Sequence, residues 1–106
     1  MTKEEKKEKT ILNQFKKFLK NYLEINNHFK VIYSINKLEL QIFGSDKYQF
    51  NIYLCDVGIL LGKSGHFIKD LEYEMKKYFE KDPRFFNYYF SIKVKKRDIF
   101  ELEIIP

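Results

Sequence analysis

The sequence predicts an α+β fold, a three-stranded sheet with helices on one face. Two kinds of periodicity carry that expectation, and composition sets its scale. Two segments repeat apolar residues at steps of three and four, as amphipathic helices do. Three others alternate apolar and polar residues, as half-buried strands do. With 106 residues, 44% hydrophobic and 18% aromatic, the chain has material for one core and little room for another. Residues 1–106 therefore read as a single domain.

Residues 1–10 form a charged N-terminal extension whose TKEEKKEK run starts a helix or frays from one. From Thr10 the pattern is helical: Ile11, Leu12, Phe15, Phe18, Leu19, Tyr22 and Leu23 share a stripe. Lys16, Lys17 and Lys20 lie on the other side, a face that is either solvated or docked on phosphates. Asn26-Asn27-His28 ends this helix. The segment Phe29–Ile35 is β-prone and reads as a short strand or an extended connection. Leu38, Leu40 and Ile42 then alternate with Glu39 and Gln41, Gly44-Ser45-Asp46 supplies a turn, and Tyr48, Phe50, Ile52 and Leu54 alternate with Gln49, Asn51 and Tyr53. This is a β-hairpin.

Val57 to Leu61 is a short apolar helical turn. Gly62-Lys63-Ser64-Gly65 follows, and then a helix with Ile68, Leu71, Met75, Tyr78 and Phe79 on one face. Lys81-Asp82-Pro83 breaks it. Tyr88, Phe90, Ile92 and Val94 alternate with Tyr89, Ser91, Lys93 and Lys95 as a third strand. Residues 96–106, in which Phe100, Leu102 and Ile104 alternate, are a tail or an added edge strand. The order is α-β-β-α-α-β.

The loop at residues 62–65 carries the chemistry. Glycines at both ends let backbone approach a ligand closely and allow a sharp bend between helices. Amides at the start of the following helix suit phosphate, and Lys63 adds a mobile positive charge. Two other readings compete. Gly58 to Ser64 is GxxxGKS, one residue short of a nucleotide-binding P-loop, and the missing residue would spoil the ring of amides. Alternatively, the glycines serve only to turn one helix into the next.

Gly62-Lys63-Ser64-Gly65 resembles the GXXG loop of a KH domain, the RNA-binding module in which that loop clamps about four nucleotides of backbone. The element order resembles the type II KH fold over residues 11 to about 95. Val57-Gly58-Ile59-Leu60-Leu61-Gly62-Lys63-Ser64-Gly65, followed by Ile68 and Leu71, is similar to the KH part of the small-subunit ribosomal protein of the mRNA entry channel. Val57 stands where that pattern has proline, and the ribosomal relative's glycine-rich arm and second α+β domain have no counterpart here. The resemblance implies RNA backbone lying over Gly62, Lys63, Ser64 and Gly65. Gly58, Ile59, Leu60, Ile68 and Lys69 would flank it, with Ile59, Leu60 and Ile68 either lining a groove for bases or belonging to the core. Lys16, Lys17 and Lys20 are expected as a secondary RNA contact. Phe85, Phe86, Tyr88 and Tyr89 are rings that either stack on bases or pack.

The implied function is RNA binding without catalysis, in a reduced or split ribosomal protein with RNA and ribosomal proteins as partners. The alternatives are a free-standing KH protein or RNA chaperone, and an interaction module that keeps the KH shape. The net charge of +5 favours a polyanionic partner modestly, since 33% of residues are charged with both signs mixed. Neither a cofactor nor a small-molecule substrate is expected. His28 and His66 are the only histidines, too few for a metal site, and Asp70 with Glu72 or Glu74 reads as a solvated helix face. The single cysteine, Cys55, excludes an internal disulfide and fits a reducing compartment. No apolar run reaches the roughly 18 residues of a membrane span, and no secretory signal is expected. Lysine outnumbers arginine 18 to 2 and alanine is absent. That skew points to an AT-rich genome, favouring a mitochondrial ribosome, with the cytoplasm as the alternative.

Overall fold

The computed structural model describes residues 2–55, 58 and 65–96. Helix α1 spans Lys3–Ile25, so the charged run forms its first turns. Thr2 caps it, its hydroxyl accepting from the Glu5 amide at 3.1 Å, and Glu4 and Glu5 complement the positive end of the helix dipole. The expected stripe faces the core. Ile11, Phe15, Phe18, Leu19 and Leu23 are buried, with Leu12 and Tyr22 half-buried beside them. Asn27 closes the helix in the left-handed conformation, φ 59°.

The segment expected as strand or extended connection is instead a short helix, α2, over Phe29–Ser34. Val31 is buried, while Tyr33, two residues on, is 86% exposed. A strand would have placed both on one face. The left-handed turn at Asn27 sets up the helix, and the His28 carbonyl accepts from the amides of Val31 and Ile32. Local geometry here overrides the strand preference of Val31, Ile32 and Tyr33.

Strand β1 spans Ile35–Phe43 and β2 spans Lys47–Leu54. They pair antiparallel, with a register irregularity between Ile35 and Lys37. Gly44, at φ 78°, makes the turn, a conformation in which other residues are strained. Helix α3 covers His66–Glu80, and strand β3, Tyr89–Lys96, lies parallel to β2. The sheet order is β1-β2-β3, a mixed three-stranded sheet in an α+β chain. The helical turn expected at residues 57–61 and the strand or tail expected at the C-terminus lie outside the described residues, Gly58 and Lys96 excepted.

The core centres on Phe50, which is fully buried. Phe15 of α1 stacks on it at 4.0 Å between centroids and 6° between planes. Phe79 of α3 and Phe90 of β3 each lie 5.8 Å away, and those two stack on each other at 4.2 Å. Each of four elements thus contributes one ring. Two polar links reinforce the arrangement. Tyr78 Oη donates to Gln14 Oε1 at 2.6 Å, joining α3 to α1, and Lys7 donates to the Tyr88 hydroxyl. Lys7 Nζ also sits 4.1 Å from the centre of the Tyr88 ring. The bond to Tyr88 is the main reason the Lys7 ammonium is held above its usual pKa.

Candidate nucleic-acid interface

Helix α3 starts at the site. Gly65, in the left-handed conformation at φ 68°, is its N-cap residue, and no described side chain caps it. A Cβ at Gly65 would meet only Ile68 Cγ2, at 3.9 Å, which is ordinary contact. The constraint on this glycine is therefore conformation and not space. The first turn, His66-Phe67-Ile68, holds no acidic residue. The amides of this turn and the positive end of the dipole accordingly have no carboxylate within the turn to complement them.

Gly58 and Lys69 are exposed. Ile68 is half-buried and packs against the core. Gly62, Lys63, Ser64, Ile59 and Leu60 lie outside the described residues. Lys16, Lys17 and Lys20 are exposed on α1, opposite its buried stripe. The four rings near β3 divide: Phe85 is buried and Tyr88 half-buried, whereas Phe86 and Tyr89 are 59% and 66% exposed.

Two residues of α3 have roles that periodicity alone did not reveal. Phe67 is half-buried against the core, edge-on to Tyr22 at 6.2 Å and to His28 at 4.5 Å. Glu72, expected as part of a solvated face, accepts the Ile92 amide of β3 at 2.9 Å and pairs with Lys76 at 3.2 Å. Strand alternation identifies buried positions, but not which helix side chain reaches a strand amide.

A cleft between α1 and α3, about 740 Å³ in volume, is lined by Phe18, Tyr22, Ile25, Asp70, Tyr73, Glu74, Lys77 and Lys81 among others. Burial, then the Asp70 and Glu74 carboxylates, raise the Tyr22 hydroxyl above its usual pKa. Lys77, paired with Glu74 at 3.9 Å, and Lys81 balance those carboxylates in the lining. Cys55 is exposed, and Asn36 Nδ2 donates to its sulfur at 3.3 Å. Among the described residues no group of His, Cys, Asp and Glu could hold a metal ion, and no helix is long and apolar enough to cross a membrane.

The outer face of the sheet is polar. A run of carboxamides crosses it: Gln49 donates to Asn51 Oδ1 at 2.7 Å, and Asn51 donates to Glu39 at 3.1 Å and to Gln41 at 3.3 Å. Tyr53 Oη donates to Glu39 at 3.1 Å. These bonds, Asn51 first, hold the Glu39 carboxyl below its usual pKa. Compared with known proteins, the chain matches no family model and no curated protein.

Proposed function

We propose that this chain binds RNA as a type II KH domain, holding nucleic-acid backbone over residues 62–65 at the start of α3. The observation that carries the reading is the junction at Gly65. A left-handed glycine completes the GKSG sequence and opens a helix whose first turn has no acidic residue and, among the described residues, no capping side chain. Such an end attracts phosphate through its amides and dipole. The mixed sheet, with α1 and α3 on its apolar face, supports the same reading. No catalytic step is assigned. The long α1 with exposed Lys16, Lys17 and Lys20 supports a ribosomal setting, in which those lysines rest on folded RNA.

The test is Lys63→Asp combined with Ser64→Asp. Two carboxylates in the loop should weaken binding of a short single-stranded RNA at least about tenfold while circular dichroism stays unchanged. Unchanged affinity in the folded double variant would sink the clamp. A second reading, a protein-interaction module, is favoured by Ile25 and Tyr73, which are 70% and 60% exposed beside the α1–α3 cleft. That module would bind RNA with little salt dependence or not at all, whereas RNA binding should lose affinity steeply with salt, with a slope of about 0.7 per phosphate contacted.

A further inference from the structure

The outer face of the sheet is a surface that the loop reading does not use. Its register places side chains in rungs across all three strands. At one end Phe43, Lys47 and Tyr89 share a rung. Phe43 is 47% exposed and Tyr89 66%, and with Lys47 and Ser91 they border a recess of about 160 Å³. At the other end Lys37, Tyr53 and Lys95 share a rung. Both ammonium groups lie over the Tyr53 ring, at 5.7 and 5.8 Å from its centre. The two aromatic rungs stand roughly 20 Å apart at about 3.3 Å per residue.

Charge decides the occupant. The face carries Lys37, Lys47, Lys93 and Lys95 against one carboxylate, Glu39, which lies in the Asn51–Lys93 rung. Glu39 is already engaged by Asn51, Tyr53 and Lys37. Among the described residues Lys47, Lys93 and Lys95 have no carboxylate partner. Exposed rings at one end and lysines along the face, with fixed carboxamides between them, match a polyanion with flat bases. A protein partner would want a drier, less charged centre.

We infer that the outer sheet face binds a second stretch of single-stranded nucleic acid, with bases stacked on Phe43 and Tyr89 and phosphates on the lysines. This surface is on the side of the sheet opposite to α3, and its test is separable from that of the loop. The probe is a labelled oligouridine about a dozen nucleotides long, a length within the range of known single-strand sites. Phe43→Ala with Tyr89→Ala changes no charge and touches exposed rings. It should weaken binding at least about tenfold, since each stacked base contributes on the order of fivefold or more. Lys93→Gln with Lys95→Gln should lower the salt slope by about 0.7 for each lysine removed. Lys9→Gln with Lys30→Gln, exposed elsewhere, should leave the slope unchanged.

Circular dichroism establishes that each variant folds. Loss in the ring variant alongside binding retained by the loop double variant supports the face and removes the loop. Partial loss in both supports both sites. Affinity unchanged in the folded ring variant, or no oligouridine binding by the wild-type chain, overturns the proposal. A ring variant that alters only self-association or capture of a protein overturns it too.

Discussion

At the scale of single residues, Glu39 shows how the outer face couples charge to stability. Its carboxylate accepts from Asn51 and Tyr53 and pairs with Lys37 at 3.5 Å. All three favour the charged form, so the folded pKa lies below the ordinary 4.5. The sign follows from linkage. A depressed carboxyl contributes stability above its unfolded pKa and loses it as pH falls through the folded value. The side chain is 39% exposed, which discounts the pair for solvent screening. Glu39→Gln should therefore cost only about 0.5–1 kcal/mol at neutral pH. Urea melts from pH about 7 to about 3 should show the gap closing below the ordinary carboxyl range. A gap constant with pH would mean that the bonds to Glu39 do not discriminate its charged form. Phe50 and Asn51, neighbours on β2, are both fully buried. The first is held by rings, the second by three side-chain hydrogen bonds.

At the scale of elements, α3 is where stability and the candidate site meet. Ile68→Asp would set a carboxylate against the core and should destabilise by about 3 kcal/mol, whereas exposed Lys69→Asp should change stability by under about 0.5 kcal/mol. Equal thermal melts for the two would mean that the assigned face is wrong. The stripes of α1 and α3 and the alternation of β2 and β3 were legible because each has a drier and a wetter face, and periodicity records that division. In β1, an edge strand, Leu38 and Leu40 are only half-buried on the inner side, and Ile42 is 39% exposed. The helix α2 was not legible. In six residues a period cannot establish itself, and the deciding feature was the left-handed Asn27 just upstream. Of the site, Gly65 and Lys69 stand where the pattern expects them, at the start of α3 and on its exposed side. The lysine rungs of the sheet went unread because alternation marks the wet side of each strand without showing which strands adjoin. Lys37 and Lys95 flank Tyr53 only once β3 is known to run parallel to β2.

At the scale of the whole molecule, positive charge is distributed over distinct surfaces, the exposed side of α1 and the outer sheet face. If the chain serves a ribosome, a single loop clamp on about four nucleotides needs a further anchor. Lys16, Lys17 and Lys20, together replaced by glutamate, should release the protein from small ribosomal subunits in a gradient while changing its affinity for a short single strand by less than about twofold. Loss of both activities would join α1 to the clamp, and loss of neither would favour a free-standing protein. The parallel pairing of β2 with β3 also orders events during folding. The β1–β2 hairpin closes through a tight turn, but Lys47 meets Tyr89 and Leu54 meets Lys96, so the third strand joins only after the intervening chain has gathered. Ladders of that kind form late, because loop closure must precede their contacts. On a nascent chain the open edge of β2 would wait unpaired for its last strand. Helix α1 is made first and stacks Phe15 on Phe50. The N-terminal helix thereby shelters an unfinished sheet while the ribosome completes it.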